Sequence, residues 1–129
     1  MTTTFADRWG APVRAADGVA VGLLDQAVED LVALSGDPVG GADAAIAADG
    51  ELALARIYRA YLALYGTNAA GAAEADTLIK PLETERAGTL GQREALHLAA
   101  ARSWADVGAG VGAGVGPGVV AGSDESTAG

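Results

Sequence analysis

The chain has 129 residues, a formal charge of −9 and no cysteine. That length allows one small domain, and the missing thiols exclude a disulfide framework and a thiolate metal site. Eight Lys or Arg, with the negative charge spread over the whole chain, are too few to neutralise a phosphate backbone, so nucleic acid is not an expected partner.

Asp7 and Arg8 come early, and Asp17 interrupts the apolar-leaning stretch near the N-terminus, which is wrong for a signal peptide. The longest uncharged run, 107–123, is Gly-dominated and short of the ~20 apolar residues that span a bilayer. No membrane partner is expected, and the expected location is cytoplasmic. Residues 1–16 read as an extended segment. From about 17 to 35, Ala20, Leu23, Leu24, Ala27, Val28, Leu31, Val32 and Leu34 recur at helical spacing, with Asp17 as N-cap and Gly36 as stop. Asp37-Pro38 opens a second helix to about 48, with Ala42, Ala45, Ile46 and Ala48 facing inward. Asp49-Gly50 breaks it, and a third helix over about 51–65 completes an antiparallel hairpin. A fourth helix starts near 69 and is expected to kink or break at Pro81. Thr89 and Gln92 match a capping box ahead of a fifth helix over about 91–106. No segment alternates strictly enough to be assigned as a strand. The expected fold is all-α: five helices over 17–106 in antiparallel, tetratricopeptide-like hairpins, followed by a disordered Gly-rich tail over 107–129.

Asp7-Arg-Trp-Gly10, Gly36-Asp-Pro38, the hairpin from Ala42 to Gly66, and the run from Gln92 to Trp104 together resemble the N-terminal portion of the actinobacterial tetratricopeptide repeat protein 38-like family. The resemblance covers residues 5–106 and implies a helical-repeat scaffold that binds other proteins. Two departures stand out. The family pattern places Pro where Gly50 stands, and after Trp104 it continues with a Gly-Asp turn and further repeats, whereas here Asp106-Val107-Gly108 begins low-complexity sequence. A native tail and a shifted reading frame in GC-rich DNA both remain open as its origin. A helical repeat buries its apolar face only against the next repeat, so an uncapped end near Leu98 and Trp104 would favour self-association.

Residue types that carry chemistry are sparse. Alternating glycines from Gly108 to Gly118 offer no phosphate-binding register, and no cofactor is expected. Ser35, Ser103, Ser123 and Ser126 share a single histidine, and nothing in the sequence brings Asp25, Glu29 or Asp49 together in a cleft, so no catalytic residue is assigned. Glu94 and His97 have the Glu-x-x-His spacing of carboxylate-bridged metal bundles but no second copy of it. An alternative function, a metal-binding or small enzyme domain, would need them joined across a homodimer interface. The remaining candidate is a protein-binding surface: Tyr58, Tyr61 and Tyr65 recur three and four residues apart, with Arg56 and Arg59 nearby. Ordinary packing of tyrosines at a wet core edge is the competing reading. Trp9 is expected to anchor the N-terminal segment onto the helices.

Overall fold

In the computed structural model, which describes residues 2–113, the chain opens with a β-hairpin where no strand is expected from the sequence. Strand β1 (Thr3–Ala6) pairs antiparallel with β2 (Pro12–Ala15), setting Phe5 opposite Val13. At four residues each, the strands are too short for a periodicity argument, and the alternation shows only in the structure, where Val13 and Ala15 are buried and Pro12 is exposed. The Asp7 carboxylate closes the turn, accepting from the Trp9 and Ala11 amides at 2.9 and 2.8 Å. Trp9 does not anchor the segment. It is 58% exposed beneath the Arg8 guanidinium, and the hairpin is seated instead by Val13, Ala15 and Phe5.

Helix α1 (Gly18–Ala33) begins as expected, with the Asp17 carboxylate accepting from the Val19 amide at 2.9 Å. It stops before Gly36. Leu34 takes the left-handed conformation (φ 55°) and the Ser35 amide reaches back to the Asp30 carbonyl, a C-terminal motif usually completed by glycine. Helix α2 (Pro38–Ala48) matches its expected bounds, capped by Asp37 on the Gly40 amide. Ala42 and Ala45 are buried, Ile46 is half-buried, and Ala48 is exposed. Helix α3 (Ala53–Leu64) is the central element: Leu54, Ile57, Ala60 and Leu64 on it are almost fully buried.

Helix α4 (Ala69–Glu85) runs through Pro81 without interruption. Ala75, Ile79 and Leu82 are buried in the shared core, and tertiary packing of this kind outweighs the lost backbone hydrogen bond. A short 3₁₀ turn (Ala87–Thr89) leads to α5 (Gln92–Ala113). The capping box does not form. The Thr89 hydroxyl donates to the Arg86 carbonyl, and the first helical bond runs from the Ala95 amide to the Gly91 carbonyl, two residues later.

Helix α5 also continues seven residues beyond the expected end at 106, so 107–113 is helical rather than part of a tail. Gly108 shows why this stretch packs. A Cβ there would stand 3.1 Å from the Ala72 Cβ, so the bare backbone lets α5 lie close on α4. The expected disorder over 114–129 lies outside the described residues.

Each helix packs on the next in the chain, most extensively in the pairs α1–α2, α3–α4 and α4–α5, and less so in the α2–α3 hairpin expected from the sequence. Helix α3 also packs on α5, but α1 and α3 do not close on each other in the same way. The body is an all-α row of five helices with the β-hairpin lying against α1, α3 and α5. Among the described residues no helix is long and apolar enough to cross a membrane.

Candidate functional site

The space left between α1 and α3 is a groove of about 170 Å³. Leu24, Val28 and Leu31 form its α1 wall; Tyr58, Leu62 and Tyr65 form its α3 wall, and Ala42 of α2 contributes from below. Three- and four-residue spacing puts these side chains on facing helix stripes, which is the reason the tyrosines gather. Tyr58 and Tyr61 stack with centroids 5.9 Å apart, and the aromatic row continues onto α5. His97 meets Tyr58 edge-on at 5.5 Å, and Trp104 meets Tyr65 edge-on at 5.5 Å. The row therefore joins core to surface: Tyr58 and Tyr61 are half-buried, whereas Tyr65 is 58% exposed.

Arg56 and Arg59 do not share this surface. They project from the far side of α3, where the Arg56 Nε donates to the Leu78 carbonyl at 2.8 Å. Arg59 bridges Asp43 of α2 and Glu74 of α4 at 3.0 and 2.6 Å. Both bind neighbouring helices, so the expected surface keeps its tyrosines and loses its arginines. The arginine beside the tyrosines is Arg93, which donates to the Tyr58 hydroxyl at 3.3 Å and pairs with Asp7 at 2.9 Å. The sequence shows no sign of this, because Asp7 and Arg93 are brought together only when the hairpin docks.

Glu94 and His97 face different neighbours. Glu94, 2% exposed, accepts from the Arg14 amide of β2 at 3.0 Å, while the His97 Nδ1 lies 2.9 Å from the Tyr61 hydroxyl. Among the described residues no group of three or more potential metal ligands is assembled. Burial is the largest influence on His97, and with the nearby Arg93 it holds the imidazole below its ordinary pKa of 6.5, against the pull of Glu94. A base with a lowered folded-state value binds fewer protons folded than unfolded. Its stabilising contribution is complete above about 6.5 and is lost as pH falls through the lowered value. Wild-type protein is thus expected to lose urea resistance between about pH 7 and pH 5, and His97→Gln to lose less of it; identical losses in the two proteins would refute this role for His97.

The buried carboxylates have a common use that sequence reasoning missed. Asp7, Asp25, Asp49 and Glu94 all accept from main-chain amides of the N-terminal segment. Asp25 takes the Arg8 amide at 2.9 Å. Asp49, in the α2–α3 corner, takes Ala16 and Asp17 at 2.7 and 2.9 Å. Burial raises the Asp25 pKa. Burial acts upward on Asp7 too, but the Ala11 amide, the Arg93 guanidinium and the Trp9 amide together bring it below the ordinary carboxylate range. Of the carboxylates considered for cleft chemistry, Asp25 and Asp49 are structural acceptors and Glu29 pairs with Arg8. What the arrangement offers chemically is an apolar, aromatic-edged slot on a rigid helical frame. No protein-family model, no curated protein and no solved structure matches the chain.

Proposed function

We propose that this chain is a protein-interaction module of tetratricopeptide-repeat type, acting in the cytoplasm, whose binding surface is the groove between α1 and α3. The observation that carries the reading is the asymmetry of the row. Helix α3 packs on α5, yet the equivalent approach of α1 to α3 is replaced by a slot lined with Leu, Val and Tyr side chains. Concave apolar slots with a few phenolic hydroxyls are suited to a side chain from a partner, because the helices are already ordered and little further entropy is lost on binding. The resemblance to the tetratricopeptide repeat protein 38-like family points the same way.

The test is selection of peptides from a random displayed library on the full chain, followed by amide chemical-shift mapping. Selected peptides are expected to shift Val28, Leu31 and Tyr65 and to bind Tyr65→Ala roughly thirtyfold more weakly, corresponding to about 2 kcal/mol at a central aromatic contact. The exposure of Tyr65 makes that variant tolerable to the fold, which circular dichroism verifies. Peptides that all map elsewhere, or that ignore the substitution, would overturn the assignment.

A further inference from the structure

The two helices that flank the groove on one side have a charge character unlike the rest of the chain. Between Arg14 and Arg56 there are eight Asp or Glu and not one Lys, Arg or His. This stretch contains the whole of α1 and α2. Folding does not cancel the imbalance. Arg8 reaches Glu29 and Arg59 reaches Asp43 from outside the stretch, and Arg59 is shared with Glu74 as well. Asp17 and Asp37 hold helix N-termini with their carboxylates exposed. Among the described residues, the Asp30 carboxylate accepts only from a neutral amide, that of Gln26.

The apolar lining continues to the same end of α1. Leu31 belongs both to the groove and to a second hollow beside Asp30, Leu34 and Pro38 at the α1–α2 turn. Val32 and Leu34 there are 77% and 89% exposed. An apolar strip bordered by uncompensated carboxylates selects a ligand with the opposite pattern.

Resting on the groove reading above, we propose that the occupant is a basic amphipathic segment of a partner protein, with an apolar side chain between α1 and α3 and flanking Lys or Arg side chains along the acidic α1–α2 hairpin. Negative potential over these helices raises the encounter rate with such a segment, and desolvation in the slot supplies the retention. An acidic segment of equal apolarity meets like charge on the α1 side.

Three synthetic twelve-residue peptides on the full chain test this: one with leucines at helical spacing among lysines, one with the same leucines among glutamates, and one with the lysines retained and each leucine replaced by serine. Affinity is read by calorimetry at low and moderate salt, and location by amide shifts. The expected result is that the Lys–Leu peptide shifts Val28, Leu31 and Tyr65 and binds at least about tenfold more tightly than either control. The double variant Asp30→Asn, Asp37→Asn, which keeps the acceptor oxygens of both residues, is expected to weaken it roughly fivefold.

Equal binding of the Lys–Leu and Glu–Leu peptides in the groove, or a preference for the Glu–Leu peptide, would overturn the charge inference and leave the groove reading standing. Equal binding of the Lys–Leu and Lys–Ser peptides, with shifts away from the groove, would show bulk charge attraction and overturn it too. If no peptide perturbs the groove, both readings fall.

Discussion

Asp49→Ala is expected to lower the unfolding free energy by about 3 kcal/mol, because one small side chain satisfies three main-chain donors. Its Oδ2 takes the Ala16 and Asp17 amides, and its Oδ1 takes the Glu51 amide at 2.8 Å. The carboxylate is 6% exposed, so water cannot readily replace it when it is removed. Two connections fail together: the seam between β2 and α1, and the corner between α2 and α3. Asp49→Asn keeps one carbonyl oxygen but turns an amide nitrogen toward a donor, and an intermediate loss is expected. Urea unfolding of the three proteins is the measurement; a loss below about 1 kcal/mol for the alanine variant would mean that the carboxylate does not hold the corner.

Gly71→Ala is the second large effect, expected to cost about 2–3 kcal/mol even though alanine is the better helix former. The added Cβ would lie 2.4 Å from the Ala63 carbonyl oxygen. Because that neighbour is backbone, relief requires the start of α4 to move away from the end of α3, disturbing the Asn68 cap whose Oδ1 holds the Gly71 amide at 2.7 Å. Leu64, which packs in the core at that end of α3, would shift with it. Thermal unfolding followed by circular dichroism reads the result, and a variant as stable as wild type would show that the two helix ends separate without cost.

The helices were legible because their signals are local. Asp17, Asp37 and the Pro38 start need only neighbouring residues to act, and α2 ends where it was expected to end. Elements that depend on distant partners were hidden. The β-hairpin takes its stability from docking onto α1, α3 and α5. The continuation of α5 past Asp106 relies on Gly108 meeting Ala72, a contact between residues that have no visible relation in sequence. Arg56 and Arg59 sit close to the tyrosines in the chain but half a turn away on the helix, so nearness in number misled. The Tyr58, Tyr61 and Tyr65 row was legible from spacing. Its extension to His97 and Trp104, and its proximity to Arg93, required the packing of α5.

The four inward carboxylates grip the N-terminal segment by its peptide groups, not by its side chains. Apart from Phe5, Val13 and Ala15, which seat the hairpin, and Asp7, which closes its turn, side chains there are therefore free to change without loosening the attachment. Proline is the exception: at the positions of Arg8, Trp9, Ala11, Arg14, Ala16 or Asp17 it would delete the donor itself. Outside those seated positions, substitution tolerance along this stretch should consequently be broad in chemistry and narrow in one residue type.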